Sequence, residues 1–297
     1  INRVPVEVWR EHICRKFLNL SELSILRRCH TFFEKYWQNM MTQNVIRVPQ
    51  GCPTVEKAMD LAVLFSERKE YTEAAPLKIR LDEGVHEIVG NDRGFMRVTC
   101  SHITFVGKGK DHTTIRGGVK VVFAQHVTFE ELTIMNPGKD GYCVGLLLGM
   151  ESNVNVLKCI FKECTIYGMY MEHGATVTAT QCEFTKNGVG VGCEDQNTKA
   201  RLNDCTVHHN GGDGLLVAGR AVVDLHGIKT DIHSNKRDGI YVSGHAKVNI
   251  HLPSQHSTFH DNVRLDRRQK DSGTIANINT DGTFTHVVAD DDVEDDY

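Results

Sequence analysis

Two aspartates stand at a spacing that would suit acid chemistry. Asp213 and Asp238 each precede a glycine and lie 25 residues apart. If the chain coils with that period, the two carboxyl groups stack on neighbouring coils. Glycosidic cleavage uses two acids about 5 to 9.5 Å apart on one face. Asp-Gly is also ordinary turn chemistry, and we favour this structural interpretation of the pair.

Three histidines form a second candidate column. Each lies two residues before a recurring asparagine: His208, His233 and His260. Stacked imidazoles could bind a metal, form a solvated polar column, or lower one another's pKa. Four nearby acids also invite a calcium interpretation, namely Glu194, Asp195, Asp204 and Asp213. Nothing in the sequence fixes their relative geometry, so we expect no metal and no cofactor, and treat the histidines as a surface ladder.

The period that would align these residues is carried by three cysteines. Cys159, Cys182 and Cys205 recur every 23 residues. Apolar residues stand in register two places after them (Phe161, Phe184, Val207) and five places before them (Val154, Val177, Ala200). Such a period indicates stacked repeats, each too small to bury its own core.

Glycines and asparagines punctuate the same units. The openings are Gly168, Gly188, Gly214 and Gly239, and the closings are Asn187, Asn210, Asn235 and Asn262. Short alternating runs lie between these marks, which predicts several short strands per unit and coils stacked about 4.8 Å apart. The repeated asparagines can form an amide ladder. A leucine-rich repeat is excluded because its leucine pattern is absent.

Composition limits the function classes. The 297 residues carry a formal net charge of −4, which argues against a general nucleic-acid surface. The chain has ten cysteines, and we interpret those in register as free core fillers, which favours an intracellular protein, cytoplasmic or nuclear. No apolar run of about 18 residues predicts a membrane span.

The first 45 residues lack the period and read as helices. Their pattern includes Val4-Pro5, Val8-Trp9, Leu18-Asn19-Leu20-Ser21-Glu22-Leu23, Leu26-Arg27-Arg28-Cys29 and Phe32-Phe33. This pattern resembles an F-box over residues 4–42, although Val4 stands where the family usually has leucine. The resemblance implies binding to a Skp1-type adaptor and, through it, to a cullin ubiquitin ligase. The contact positions it implies are Pro5, Val8, Ile13, Leu18, Leu20, Leu23 and Leu26.

The repeats resemble the right-handed parallel β-helix of pectate-lyase-like proteins over roughly residues 77–262. Together the two parts look like F-box proteins with a β-helix that binds an unknown target protein. Many β-helices act on polysaccharides, so a carbohydrate-active or glycan-binding protein is the alternative. No complete motif of pectin methylesterase, polygalacturonase or pectate lyase is present, and we therefore expect a protein that is not an enzyme.

The expected organisation has four parts. Residues 1–45 form the helical F-box-like module, and 46–76 form a linker and capping helix that begins after Thr54. Residues 77–288 form the β-helix, a mainly β single-stranded solenoid, with last strands near 275–279 and 283–288. Residues 289–297 form an acidic tail typical of disordered chain.

Overall fold

The computed structural model describes residues 42–89, 94–138, 143–251, 259–279 and 284–286. The predicted F-box-like contacts and the acidic tail therefore lie outside the described residues. The described part is mainly β and forms a right-handed parallel β-solenoid, with the short helix α1 (Val55–Ser66) inserted between its first two strands.

The strands are short and follow one another along the whole solenoid. In chain order they are β1 (Val45–Val48), β2 (Leu77–Leu81), β3 (Gly84–Glu87), β4 (Phe95–Val98), β5 (Ile103–Val106), β6 (Thr113–Arg116), β7 (Gly118–Val122), β8 (Val127–Glu130), β9 (Thr133–Met135), β10 (Val144–Gly149), β11 (Asn153–Leu157), β12 (Ile160–Lys162), β13 (Tyr167–Met171), β14 (Thr176–Thr180), β15 (Glu183–Thr185), β16 (Val189–Cys193), β17 (Lys199–Asn203), β18 (Thr206–His208), β19 (Leu215–Val217), β20 (Val222–His226), β21 (Asp231–His233), β22 (Ile240–Val242), β23 (Lys247–His251), β24 (Phe259–His260), β25 (Arg267–Gln269), β26 (Thr274–Ile278) and β27 (Phe284–His286).

Three sheets run along the solenoid axis. The first sheet has the order β1-β2-β5-β8-β11-β14-β17-β20-β23-β26-β27. The second has the order β25-β22-β19-β16-β13-β10-β7-β4, and the third β24-β21-β18-β15-β12-β9-β6-β3. From β2 to β25, each coil passes through the first, third and second sheet in turn, so equivalent residues of neighbouring coils stack in columns.

The interior columns confirm the predicted period. Phe161 pairs in register with Phe184, and Phe184 with Val207, all fully buried. The Phe161 and Phe184 rings stack with centroids 4.9 Å apart. The eight cysteines within the described residues are free and buried, so those in register do fill the core. Truncating one stacked phenylalanine to alanine would cost about 3–5 kcal/mol.

The predicted asparagine ladder is present at the turn between the third and second sheets. Asn187, Asn210 and Asn235 are nearly or fully buried. The backbone N–H of Asn187 donates to Oδ1 of Asn210 at 3.0 Å, and that of Asn210 donates to Oδ1 of Asn235 at 3.2 Å. A buried polar group without a hydrogen-bond partner lowers the stability of the fold. Each asparagine side chain therefore accepts the backbone N–H of the asparagine one coil earlier in the chain.

The repeated glycines make room for this ladder. A Cβ on Gly214 would lie 2.8 Å from Nδ2 of Asn235, and one on Gly190 would lie 3.0 Å from Nδ2 of Asn210. Gly190, rather than the predicted Gly188, is therefore the equivalent of Gly168 and Gly214. The error arose because a Gly-x-Gly sequence does not show which glycine faces the neighbouring coil.

The N-terminal end of the solenoid is covered by α1. The Thr54 side chain accepts from the backbone N–H of Lys57 at 3.2 Å and caps the helix, as predicted. The buried face of α1 contains Val55, Ala58, Met59, Leu61, Ala62 and Phe65. One part of the predicted linker is a strand: β1 pairs in parallel with β2 and extends the first sheet.

The last coil replaces apolar interior residues with polar ones. Arg267 pairs in register with Ile240, and Gln269 with Val242. The Arg267 guanidinium lies over the Phe259 ring at 4.5 Å. After this coil, β27 pairs antiparallel to β26, which ends the parallel first sheet. A further coil would have little apolar surface on which to stack, as expected of a terminal repeat.

Candidate functional site

The aspartate pair proposed from the sequence is part of the framework. Asp213 and Asp238 are 1% and 0% exposed. The backbone N–H of Asp238 donates to Oδ1 of Asp213 at 3.1 Å, and that of Leu265 donates to Oδ1 of Asp238 at 3.2 Å. Burial raises the pKa of Asp213, although Arg237 Nε lies 3.7 Å from its carboxylate. These carboxylates hold neighbouring coils together and are not displayed on an open face.

The structure brings His208, His233 and His260 into one column on the outer face of the third sheet. The ring centroids of His208 and His233 lie 5.1 Å apart, and those of His233 and His260 lie 4.9 Å apart. The rings are nearly parallel, with interplanar angles of 12° and 4°. This arrangement follows from the strand register, which pairs His208 with His233 and His233 with His260.

Acids accompany this histidine column at both ends. His208 Nε2 lies 3.2 Å from Glu183 Oε1, and His260 Nδ1 lies 2.8 Å from Asp261 Oδ2. Burial lowers the pKa of His233, whereas the hydrogen bond to Asp261 raises the pKa of His260. Within this column, the central imidazole of His233 is therefore harder to protonate than a free imidazole, and the outer imidazole of His260 is easier to protonate.

A different cluster has converging metal-ligand atoms. Within the described ranges, this cluster consists of Glu172, His173 and Asp195, whose candidate ligand atoms all lie within 4.8 Å of one another. Sequence reasoning missed it because the members come from two successive turns, although Asp195 was among the acids considered for calcium. Asp204 has a different role, since its Oδ1 accepts from the backbone N–H of Lys229 at 3.1 Å. The cluster is largely exposed and holds an ion pair of its own, His173 Nδ1 to Asp195 Oδ2 at 3.0 Å.

The outer face of the first sheet carries a further polar constellation. Oδ1 of Asp224 lies 2.9 Å from Asn249 Nδ2 and 3.1 Å from His251 Nε2. The His226 ring stacks on His251 with centroids 4.0 Å apart. Burial and the neighbouring charges of His251 and Arg201 lower the pKa of His226 to about 4, so its imidazole is neutral at pH 7.

Arg201 lies next to this constellation. It pairs in register with Asp224, but its Nε donates to Asn203 Oδ1 at 3.2 Å. Within the described part of the chain, Arg201 forms no ion pair. The site thus presents an exposed guanidinium beside a carboxylate that already holds an imidazole and an amide. The contact with Asp224 fixes the orientation of the His251 imidazole. Strand alternation in the sequence could have placed these residues on one face.

The fold and these sites define a right-handed parallel β-helix with polar outer columns. Residues 86–203 match the family model of the right handed beta helix region. No curated protein sequence matches the chain. Among the described residues, no helix has the length and apolar character needed to cross a membrane.

Three solved structures have a limited similarity to this chain. The Geobacillus virus E2 protein ORF18 has a TM-score of 0.42 and 10% identity, covering 85% of this chain and 64% of that chain. The A-module of Azotobacter vinelandii mannuronan C-5 epimerase AlgE4 has a TM-score of 0.29 and 14% identity, covering 77% of this chain and 79% of that chain. The corresponding AlgE6 module has a TM-score of 0.29 and 13% identity, covering 77% and 78%. These three similarities do not assign a function to this chain.

Proposed function

We propose that this protein is a substrate-recognition adaptor of a Skp1-cullin-F-box ubiquitin ligase. The F-box-like segment docks the Skp1-type adaptor, and the β-helix binds the target protein. The chain supplies proximity between the target and the partner enzymes, so it performs no covalent step itself. No family match covers the F-box-like segment, and its sequence pattern is the basis for assigning its partner.

The position of α1 is the structural observation that supports this proposal. A helical segment ahead of a solenoid has two simple roles, as an end cap or as a docking module. Here α1 already covers the end, because Val55, Ala58 and Phe65 are fully buried against the first coil. The apolar pattern of residues 4–42 is therefore not needed to close the solenoid, which favours a surface intended for another protein.

Co-purification of the full chain with a Skp1-type adaptor tests the proposal. We expect a stable complex that Leu23→Asp abolishes while far-UV circular dichroism of the β-helix is unchanged. Lys199→Asp is the matched control, because Lys199 is an exposed position of the first sheet and should not affect the complex. A full chain that ignores the adaptor, or a Leu23→Asp variant that binds normally, contradicts the adaptor role.

A second candidate function is the binding of an acidic glycan on the first sheet. The observation that favours it is the exposed Arg201 guanidinium beside the Asp224–His251 pair. A guanidinium binds a carboxylate in a bidentate manner, and amides such as Asn249 can bind sugar hydroxyls. Consecutive coils would offer these groups at the period of stacked strands, about 4.8 Å, along the axis of the solenoid.

Affinity electrophoresis in polygalacturonate separates this candidate from the first. Retardation of the wild-type chain that disappears in Arg201→Ala, but not in the neighbouring control Thr178→Ala, would support glycan binding. Release of shortened or unsaturated products would favour the carbohydrate-active alternative over the adaptor. Migration that is identical with and without polymer excludes this ligand.

A further inference from the structure

An apolar stripe runs along the outer face of the second sheet. Its residues occupy one register column, in which Leu147 pairs with Tyr170, Tyr170 with Gly192, Gly192 with Leu216, and Leu216 with Tyr241. Tyr170, Leu216 and Tyr241 are only partly buried. We call this column, together with Tyr167, the axial stripe.

The other two sheets do not have such a column. The equivalent outer column of the first sheet contains Thr128, Asn155, Thr178, Arg201, Asp224 and Asn249. The histidine column of the third sheet continues through Thr185, Lys162 and Met135. Both are predominantly polar, as expected for a sheet that faces water. The axial stripe is thus a specific departure from the pattern, and a contiguous apolar surface that stays partly exposed is typical of interaction sites.

The centre of the stripe is built to hold two aromatic rings flat against the sheet. Tyr167 and Tyr170 lie with centroids 4.7 Å apart, and both rings lie over Gly192. A Cβ on Gly192 would come within 2.7 Å of either ring. The Tyr170 hydroxyl donates to Glu194 Oε2 at 3.0 Å, which fixes the ring and occupies the nearest acid. Rigid aromatic side chains lose little entropy on binding, and they are frequent anchors at interfaces.

A cation stands at each end of the stripe. Lys120 pairs in register with Leu147, and Arg268 pairs with Tyr241. Lys120 forms no ion pair within the described residues. The Arg268 guanidinium lies over the Tyr241 ring at 5.6 Å, and its Nη1 is 3.7 Å from Asp238. Its Nε has no hydrogen-bond partner among the described atoms. The stripe therefore has an apolar middle with a cation at each end, of which Lys120 is unpaired among the described residues and Arg268 is paired with Asp238.

We infer that the axial stripe binds an extended peptide whose apolar centre is flanked by acidic residues. The inference rests on the proposed adaptor function, for which it names the target-binding surface and the chemistry of the bound segment. Six coil steps separate Lys120 from Arg268, about 29 Å, which an extended peptide of about nine residues spans. The apolar centre packs on Tyr170, Leu216 and Tyr241, and the acidic ends approach the two cations.

Fluorescence anisotropy with the full chain tests this surface. The probe is a labelled synthetic peptide of about nine residues, with leucine and aromatic residues in the middle and acidic residues at both ends. We expect Leu216→Asp to weaken binding at least about tenfold. The matched control is Thr178→Asp, which adds the same charge to the outer face of the first sheet and should bind as wild type. Circular dichroism verifies that both variants fold.

Charge reversal tests the orientation of the peptide independently. Lys120→Glu should weaken the binding of the acidic probe. It should strengthen the binding of a second probe that has the same apolar middle and lysines at both ends. Unchanged affinity of the acidic probe in both Leu216→Asp and Lys120→Glu would overturn the inference. A concentration-dependent dimer that Leu216→Asp abolishes in sedimentation would also overturn it, because the stripe would then bind a second copy of the chain.

The two proposals fail separately. Leu216→Asp should still form the complex with the Skp1-type adaptor, and Leu23→Asp should still bind the peptide probe. Peptide binding without adaptor binding would support the axial stripe as a peptide-binding surface and contradict the ligase role. Adaptor binding without peptide binding to wild type would overturn the stripe alone.

Discussion

Nδ2 of Asn262 donates to Oδ1 of Asp266 at 2.8 Å, and this contact ends the buried amide ladder. The same carboxylate oxygen lies 3.4 Å from the backbone N of Asn262. In every earlier rung, these two donors meet the asparagine of the next coil or a backbone oxygen. Asp266, which belongs to the same coil as Asn262, thus substitutes for the asparagine that an additional coil would have supplied.

Removal of the Asp266 carboxylate should therefore loosen the ladder from its C-terminal end. Asp266→Ala removes the acceptor of the backbone N–H of Asn262 and one of the two acceptors of its Nδ2, which keeps the backbone oxygen of Ile232 at 3.1 Å, and we expect it to lower the free energy of unfolding by about 1–3 kcal/mol. Asp266→Asn keeps an acceptor oxygen and should cost clearly less. Urea unfolding monitored by circular dichroism measures both. Equal losses in the two variants would show that the ladder ends elsewhere.

Gly214 should tolerate no side chain. A Cβ there would lie 2.6 Å from the backbone oxygen of Gly239 and 2.8 Å from Ile232 Cγ2. Gly214→Ala should cost about 1–3 kcal/mol through overpacking. Gly211→Ala is the control, because a Cβ on Gly211 meets nothing closer than 3.5 Å. Thermal unfolding of the two variants side by side gives the comparison, and similar midpoints would contradict this account of the glycines.

These two cases show what could be predicted from the sequence. The cysteine period was sufficient to place Phe161 and Phe184 in one interior column, since every coil obeys the same alternation. The contacts on the polar faces were harder to predict, because strand alternation shows which residues point outward but not which of them bond to one another. Asp224 is an example: of its two register neighbours it bonds to Asn249 and not to Arg201, and it also contacts His251, which lies outside their column. The strand β1 was missed because its four residues are followed at once by Pro49 and Gly51, which are typical of a linker.

The histidine stack of the first sheet should make the protein less stable in mild acid. The pKa of His226 is lowered by burial from its ordinary 6.5 to about 4, so the unfolded chain binds a proton more readily than the folded one. Its contribution to stability is complete above pH 6.5 and is lost as the pH falls from 6.5 towards 4. The pKa of His260 is raised by its hydrogen bond to Asp261, so this residue acts in the opposite direction.

His226→Gln isolates this effect. The glutamine does not titrate, so the difference in urea midpoint between pH 7 and pH 5 should be smaller in the variant than in wild type. His260→Gln is the matched control and should not reduce that difference. A wild-type midpoint that rises between pH 7 and pH 5, or a His226→Gln profile parallel to that of wild type, contradicts the prediction.

The buried cysteines should react with thiol reagents only when the coils open. Burial raises the pKa of Cys52, Cys164 and Cys193 to about 12, and the core position of all three shields the sulfur from solvent. At pH 8, we expect iodoacetamide to modify these residues at least about 100-fold more slowly in the native chain than in urea. Peptide mapping by mass spectrometry gives the rate at each cysteine. Because Asp266→Ala loosens the C-terminal coils, it should accelerate modification of Cys205 more than that of Cys52, which lies at the opposite end beside α1. Equal acceleration at both sites would mean that the solenoid opens as one unit, and fast modification in the native wild type would show that the coils are not closed.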